Sequence, residues 1–219
     1  MALVINHEAE EAMSQVMSEQ KRQRNPRGDG ARLKDELIEA AMRLLDAQPG
    51  VQLSLRAVAK AAGVAPPSVY RHFSNAEAMM LEIGLQCWSL LADEMIRAAD
   101  AGGQQTPFDA LKAKMSAYVY YAMERPSRYQ LLFDTSGGFE LVSEGPIRPA
   151  YRAVLESIEA IAAQGKRLPA ADPATSTLLV ISIAHGRIAL AHLARHRPGN
   201  YKEGVEAFVL QMLDNIFLD

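Results

Sequence analysis

Two adjacent prolines constrain the fold of this chain more than any other feature. Pro66 and Pro67 lie in the stretch GVAPPSVYRHF, residues 63–73, directly ahead of a run of bulky side chains at residues 70–73. Proline breaks a helix interior, but it suits the first helical turn, where its missing N–H has no intrahelical partner and its fixed φ is already helical. The prolines therefore predict the start of a short helix with the bulky residues as its body.

Helical signals flank this short helix on both sides. Before it, Ser54 is placed to cap a helix that Gly63 is placed to end. After it, Ser74 and Glu77 form the S-x-x-E capping box that begins a further helix. Upstream, apolar residues recur at helical spacing at Leu33, Leu37, Ile38, Ala41, Leu44 and Leu45. A helix, a tight glycine turn and a second short helix predict a helix-turn-helix, whose second helix enters the DNA major groove.

The second helix carries side chains that suit contact with DNA. Val69 and Phe73 are four residues apart and can share an inward face. Polar side chains with hydrogen-bond donors point elsewhere, namely Ser68, Arg71 and His72. Tyr70 can pack its ring and present its hydroxyl to a phosphate. The alternative is a plain helical hairpin in which Tyr70, His72 and Phe73 belong to the core, and for Phe73 we favour that interpretation.

Charge is distributed unevenly along the chain. The formal net charge is −3, yet residues 21–75 contain ten lysines or arginines against five acids, whereas residues 1–20 contain four acids and no lysine or arginine. The basic stretch coincides with the predicted helix-turn-helix and favours a polyanionic partner. Because a basic stretch is more often only a solvated face, charge alone leaves both interpretations open.

The segment covering residues 33–81 resembles the DNA-binding domain of TetR-type transcriptional regulators. The first-helix stripe, LRAVAKAAGV, VYRHF and the capping box after it follow in the order and spacing of that family. The resemblance implies an all-α protein with an N-terminal extension at 1–28, a DNA-binding domain at 29–75 and a ligand-binding and dimerisation domain at 76–219. It also implies DNA contacts at the matching positions, which are Ser54, Arg56, Pro67, Ser68, Tyr70, Arg71 and His72.

Two positions depart from the pattern of the family. Ala65 stands where a Ser or Thr cap is usual, which weakens the start of the recognition helix, although Pro66 and Pro67 stiffen it. Ala76 stands where a lysine is common at the start of the next helix, so one phosphate contact per subunit is expected to be absent. We therefore expect a modest affinity for DNA.

The rest of the chain keeps a helical pattern. A predicted helix opens at Thr106-Pro107 and ends near residue 125, a short helix follows, and residues 134–145 are expected to form a loop. Apolar and aromatic side chains on these helices predict the walls of an interior ligand pocket at Met115, Tyr118, Tyr121, Leu132 and Phe133. The stretches AMERPSRYQLLF and IAHG also resemble a TetR subgroup with a Trp-His-Gly signature, with Ile181 in the place of the tryptophan.

The two C-terminal helices indicate how the chain assembles. Residues 178–194 are apolar nearly all round, as expected for a helix buried on two sides, and residues 205–217 carry a continuous apolar stripe. In a TetR-like chain such a pair usually packs against the same pair of a second subunit. This implies a dimer interface at Ala184, Ala189, Val205, Phe208, Val209 and Met212. The alternative is that both stripes are buried within one subunit.

Other classes of protein are less well indicated. His185, His192 and His196 share a predicted helix, but no acid follows at ligand spacing, so no metal site is expected. No Ser-His-Asp or Cys-His arrangement is identifiable, so no catalytic residue is expected either, and no cofactor is predicted. The most apolar stretch is interrupted by polar and charged residues, which argues against a membrane span, and the first residues lack an export signal. The single cysteine, Cys87, fits a reducing cytosol. We expect a cytoplasmic protein that is not an enzyme.

Together with these patterns, the resemblance to TetR-type regulators implies a homodimeric repressor that leaves a palindromic operator on double-stranded DNA when a small, mostly apolar molecule binds. The alternative is a DNA-binding dimer without a small-molecule effector. Residues 1–28 are predicted to be a mobile tail, although their basic side chains could instead reach a minor groove.

Overall fold

The computed structural model describes residues 30–47, 52–103, 106–133, 148–193, 199 and 201–217. Within these ranges every regular element is a helix, so the predicted all-α class is confirmed. The helices are α1 (Gly30–Ala47), α2 (Leu55–Ala61), α3 (Pro66–Tyr70), α4 (Ala76–Asp100), α5 (Pro107–Glu124), α6 (Pro126–Leu132), α7 (Arg148–Ala163), α8 (Pro173–Leu193) and α9 (Tyr201–Phe217). The predicted tail at 1–28, the loop at 134–145 and His196 lie outside the described residues.

The chain divides into two compact units, residues 1–36 and 37–219. In the first unit the described residues, 30–36, form the beginning of α1, where Arg32 Nε lies 3.2 Å from Glu36 Oε1 across one helical turn. An exposed ion pair at this spacing stabilises a helix by only about 0.2–0.5 kcal/mol. All the contacts described below lie within the second unit.

Local sequence explains why α5 begins where it was predicted to begin. Thr106 Oγ1 accepts a hydrogen bond from the Asp109 amide at 3.1 Å, and Asp109 Oδ2 accepts one from the Thr106 amide at 3.2 Å. This is a complete capping box, and Pro107 occupies the first turn of the helix. Hydrogen bonds from the Thr106 hydroxyl and amide favour the ionised carboxylate and lower the pKa of Asp109.

The main core forms where α4 and α5 pack along each other and against α7, with α8 and α9 completing it. Its fully buried apolar side chains include Ile83, Leu91, Met95, Leu111, Met115, Ile158, Ile188 and Leu213. Full burial of one such side chain contributes roughly 1.5–3 kcal/mol to stability. The bundle is therefore a firm support for any site that its helices line.

Polar contacts align α9 along α5 at the edge of this core. Glu206 accepts hydrogen bonds from Ser116 Oγ at 2.6 Å and from the Tyr120 hydroxyl at 3.0 Å. Lys112 Nζ also lies 2.9 Å from Asp214 Oδ1. These contacts determine which face of α9 points away from the core.

One face of α8 is buried and the opposite face is open. Among the described helices, α8 alone is long and apolar enough to meet the criteria for a membrane span. An 18-residue window in it has a mean hydropathy of 1.4, and 33% of that window is buried. Val180, Ala184, Ile188 and Ala191 are buried against neighbouring helices, as in the core of a helical bundle. The opposite face exposes leucines at Leu178, Leu179, Leu190 and Leu193, of which the last is 79% exposed.

Candidate functional site

The helix-turn-helix segment, residues 37–73, contains the later part of α1 followed by α2, a glycine turn and α3. Ser54 caps α2, because its Oγ accepts a hydrogen bond from the Ala57 amide at 3.2 Å. After α2, Gly63 has a φ of 67°, the left-handed conformation that favours glycine at a helix end. The Val64 amide donates to the Ala59 carbonyl at 3.0 Å and closes the turn. The predicted cap and the predicted turn are both confirmed.

The helix α3 begins as the prolines predict but ends earlier. Both prolines lie in its first turn, after an extended Ala65 whose side chain makes no capping bond. The helix ends at Tyr70, and the amides of His72 and Phe73 then donate to the Val69 carbonyl at 2.9 and 3.0 Å in a turn. The five residues 71–75 then lead to α4, which begins at Ala76.

The start of α4 differs from the predicted capping box. Asn75 is the N-cap, and its Oδ1 accepts a hydrogen bond from the Ala78 amide at 2.8 Å. Glu77 is then the second helical residue, where the dipole favours a carboxylate but the box is not completed. The prediction of Ser74 as the cap is wrong, because Ser and Asn are equally good caps and spacing does not choose between neighbours.

The helix-turn-helix segment presents polar and basic side chains on its outer side. Val69 and Phe73 are buried, as predicted, and they hold α3 against the rest of the segment. Tyr70 is 53% exposed, which argues against its interpretation as a core residue. Of the side chains predicted to contact DNA, Ser54, Arg56, Pro67, Tyr70 and Arg71 are exposed, and Ser68 and His72 are half-buried.

A narrow apolar cavity lies among α4, α5, α7 and α8. The space in it that is open to a water-sized molecule is about 10 Å³, and its lining residues are Trp88, Met95, Met115, Tyr118, Ala150, Tyr151, Val154 and Ile181. The lining surface is almost wholly apolar. A charged group that entered it would lose its hydration without gaining a partner, so the cavity suits an uncharged molecule.

The predicted pocket residues coincide with this cavity in part. Met115 and Tyr118 line it, whereas the other three predicted residues, Tyr121, Leu132 and Phe133, do not. The Tyr121 hydroxyl instead donates to the Cys87 carbonyl at 3.3 Å. No signal in the sequence marks the other lining residues as ligand contacts, namely Trp88, Met95, Ala150, Tyr151, Val154 and Ile181. Their apolar helical spacing was visible, but a stripe does not distinguish residues that border a space from residues that fill it.

A chain of hydrogen bonds runs beside the cavity. The Tyr118 hydroxyl lies 3.0 Å from the Tyr129 hydroxyl, which lies 2.7 Å from His185 Nδ1. Burial raises the pKa of both tyrosines and lowers the pKa of His185, so the neutral forms of all three are favoured. These polar atoms satisfy one another and add no charge to the cavity.

Lys114 is a buried cation close to the same helices. Its Nζ donates to the Ala153 carbonyl at 2.7 Å and to Ser157 Oγ at 2.8 Å, both on α7. Burial lowers the pKa of Lys114. These hydrogen bonds join α5 to α7. Because Lys114 is not among the lining residues, the cavity wall stays apolar.

The predicted dimer residues fall into two groups. Ala184, Val205 and Val209 are buried within the subunit itself, so their side chains have no surface left for a partner. The others are accessible: Phe208 is 43% exposed, and Ala189 and Met212 are half-buried. The inner half of each stripe therefore belongs to the core of the subunit, and the outer half remains open.

The described residues show little that suits metal or nucleophilic chemistry. Within those ranges no three His, Cys, Asp or Glu side chains lie together in an arrangement that could hold a metal ion. Cys87 is buried, and burial raises the pKa of its thiol, which disfavours the reactive thiolate.

Two protein families match the parts of the chain just described. The family described as "Bacterial regulatory proteins, tetR family" matches residues 37–83, which contain the helix-turn-helix segment. The family described as "Tetracyclin repressor-like, C-terminal domain" matches residues 111–216, which contain most of the helices around the cavity. The chain belongs to the TetR family.

A curated relative matches part of the chain. An uncharacterized helix-turn-helix-type transcriptional regulator of Bacillus subtilis (strain 168), YobS, is 33% identical over 95 residues, which are 43% of this chain and 48% of that protein. The match thus spans about half the length of this curated relative.

Solved structures show the TetR-like fold. A Rhodococcus protein of unknown function has a TM-score of 0.69 at 20% identity and covers 91% of this chain and 97% of its own. A TetR-family transcriptional regulator of Pectobacterium atrosepticum has a TM-score of 0.67 at 13% identity, and the match covers 89% of this chain and 99% of that one. At these identities the likeness establishes the fold alone.

Proposed function

We propose that this TetR-family protein is a homodimeric transcriptional repressor that binds a palindromic operator and leaves it when a small apolar molecule occupies the cavity. The exposed face of α3 supports this most directly. Tyr70 and Arg71 are exposed at the end of a short helix whose Val69 is buried. A helix-turn-helix inserts this second helix into the major groove. The two side chains therefore reach the DNA first.

The other predicted contacts complete the DNA-binding face in this proposal. Hydrogen-bond donors for phosphates or base edges come from Arg56 on α2, Ser68 on α3 and His72 after it. Pro67 packs against the DNA backbone. Ser54 caps α2 with its oxygen, and its hydroxyl proton is still available to a phosphate. Phosphate contacts position the protein, and base contacts specify the sequence.

A second subunit packs on the outer faces of α8 and α9 in this proposal. The leucines of α8 and Phe208 of α9 are exposed, and Arg187 Cζ of α8 lies 5.7 Å from the Phe208 ring centre. Phe208, Met212 and Ala189 are the predicted interface residues that remain accessible. Two-fold pairing would place two α3 helices on half-sites about 34–36 Å apart, which requires a palindromic operator.

The effector in this proposal is an uncharged molecule held among α4, α5, α7 and α8, in the cytoplasm where the DNA is. Met115 and Tyr118 contact it directly, and Tyr121, Leu132 and Phe133 support the wall from behind. α4 both lines the cavity through Trp88 and follows the helix-turn-helix segment directly after Asn75. An occupant that favours a shifted α4 would change the spacing of the two α3 helices and lower operator affinity.

Selection from a random pool of duplexes tests the DNA-binding proposal. The full-length protein should enrich a palindrome with half-sites one helical turn apart. A double variant, Tyr70→Ala with Arg71→Ala, is the control and should enrich none. Equal enrichment by the wild type and the variant, with both folded by circular dichroism, would exclude α3 as the recognition helix.

The size of the cavity favours a second candidate, a DNA-binding dimer without an effector. The space that a water-sized molecule can enter is only about 10 Å³, enough for about one water molecule, whereas ligand pockets usually have about 300–1,000 Å³. Mass spectrometry of molecules extracted from the purified protein, and operator affinity across a panel of uncharged apolar compounds, separate the two. A compound that lowers operator affinity supports the repressor with an effector, and no response across the panel supports the second candidate.

A further inference from the structure

The short helix α6 lies against the wall of the cavity. The Tyr129 hydroxyl on α6 lies 3.0 Å from the Tyr118 hydroxyl, and the Phe133 ring, just after α6, meets the Trp88 ring edge-on at 5.5 Å. Tyr118 and Trp88 both line the cavity. Because protein interiors are close-packed, an occupant that displaces either side chain presses on α6.

The same helix is tied to α1 of the helix-turn-helix segment. Arg128 Nε donates to Asp46 Oδ1 at 2.8 Å, and a second guanidinium N–H donates to Asp46 Oδ2. Bidentate pairs of this kind are the strong form of an Arg–carboxylate contact, and the Arg128 side chain is only 14% exposed. Arg128 and Tyr129 are consecutive and point about 100° apart around the helix. One residue thus contacts α1 and the next contacts the cavity wall.

The position of Asp46 explains why it depends on this partner. Asp46 is the penultimate residue of α1, where the negative end of the helix dipole disfavours a carboxylate. Arg128 supplies the compensating charge. Burial alone would lower the pKa of Arg128, but the hydrogen bond and charge of Asp46 more than offset it, so that pKa is raised. Separation of α6 from α1 would leave the carboxylate at an unfavourable helix end.

We propose that the Asp46–Arg128 ion pair couples occupancy of the cavity to the position of the helix-turn-helix segment, with α6 as the moving element. This inference rests on the proposed function, because it assigns the route by which an occupant weakens DNA binding. The occupant displaces Trp88 or Tyr118, α6 follows through Phe133 and Tyr129, and Arg128 carries α1 with it. Without the ion pair, an occupant acts on the segment only through α4, so DNA affinity should depend much less on occupancy.

Substitutions that fill the cavity can stand in for the unidentified ligand. Ala150 is buried and lines the cavity, so Ala150→Leu places a larger apolar side chain there that displaces the neighbouring walls, and Ala150→Val is the milder version if the first fails to fold. Each filler substitution is introduced into four backgrounds, which are the wild type, Arg128→Gln, Asp46→Asn and Arg152→Gln. Arg152 forms an exposed pair with Glu156 on α7 and is the matched control.

Two measurements are made on every variant. Without DNA, hydrogen exchange of the amides in residues 37–47 reports the state of α1. With the selected duplex, fluorescence anisotropy reports DNA affinity. In the wild-type and Arg152→Gln backgrounds the filler should lower DNA affinity by at least about fivefold, which is a typical allosteric coupling. In the Arg128→Gln and Asp46→Asn backgrounds it should lower DNA affinity by less than about twofold. Faster exchange of α1 should follow the same division.

The contrary outcomes separate this inference from the proposed function. An equal effect of the filler in all four backgrounds overturns the route and leaves the repressor proposal standing. No effect of either filler in the wild type also overturns the route, since the cavity is then not linked to α1. If selection enriches no duplex, the proposed DNA-binding function fails, and hydrogen exchange by itself still decides whether the ion pair couples the cavity to α1.

Discussion

The Tyr129 hydroxyl lies 2.7 Å from His185 Nδ1 and joins α6 to α8. The Phe133 ring lies over the same imidazole, with ring centres 4.0 Å apart, and the Tyr129 ring lies 5.9 Å from it. These rings remove water from the imidazole, and burial lowers the pKa of His185. A neutral His185 is therefore part of the packing that holds α6 in place.

We expect the protein to lose stability on acidification, partly through His185. Because the folded-state pKa lies below that of the unfolded chain, the unfolded state binds the proton more readily, and the free energy of unfolding falls as the pH drops below about 6.5. His185→Gln should flatten this part of the curve. Denaturant unfolding at several pH values measures it, with His72→Gln as the control. The same slope in wild type and His185→Gln would contradict the prediction.

Substitution of the exposed α3 side chains should weaken DNA binding without unfolding the protein. Tyr70→Ala and Arg71→Ala each remove a side chain that projects from the segment, and loss of a good bidentate base contact costs about 1–3 kcal/mol. A phosphate contact costs less. Anisotropy titrations with the selected duplex measure the loss, and Arg152→Ala, an exposed arginine on α7, should bind normally. Unchanged affinity in both α3 variants would remove α3 from the interface.

A lysine at position 76 should add a phosphate contact. Ala76 is the first residue of α4, next to α3, and backbone contacts add affinity without sequence preference. Ala76→Lys should tighten operator and non-operator binding alike and steepen the slope of log affinity against log salt by roughly 2 for a dimer. The dipole at the helix start disfavours the lysine by a few tenths of a kcal/mol, so the free protein should be slightly less stable.

Ala98→Lys is the matched control for this prediction. Ala98 lies on the same helix, about 33 Å further along, and is half-buried like Ala76. It should leave the salt slope unchanged. If Ala76→Lys also leaves it unchanged, the start of α4 does not face DNA.

A charge on the outer face of α9 should prevent dimer formation. Phe208 is exposed in the single subunit, so Phe208→Glu should fold, but it would bury a carboxylate in an apolar interface, where a pair with the nearby Arg187 only partly offsets the lost hydration. Ile96→Glu changes a residue of nearly equal exposure on α4 and should remain dimeric. Light scattering at micromolar concentration distinguishes the two. A monomeric wild type would exclude the proposed assembly.

The cap of α4 can be tested directly. Asn75→Ala removes the side-chain oxygen that accepts from the Ala78 amide, and loss of such a cap costs about 0.5–2 kcal/mol. Ser74→Ala should change the free energy of unfolding by much less, since Ser74 precedes the cap. Denaturant unfolding of both variants measures the difference. The reverse order of effects would restore Ser74 as the cap.

The sequence by itself was sufficient wherever the answer depends on a few neighbouring residues. Pro66 and Pro67 start α3, Gly63 ends α2, and α5 opens at Thr106-Pro107, all as predicted. Proline fixes φ, glycine permits a positive φ, and a hydroxyl can satisfy a free amide within the same turn. These rules are local, so they need no knowledge of the rest of the fold. The exception is Asn75, where two adjacent residues satisfied the same rule.

The tertiary structure decided everything that depends on which faces meet. Val205 and Phe208 belong to one stripe, yet the first is buried in the subunit and the second is exposed. The cavity takes its wall from four helices, and Arg128 meets Asp46 across 82 positions of sequence. An apolar periodicity indicates that a residue is buried but not by which neighbour, because the packing partner is set by how whole helices cross.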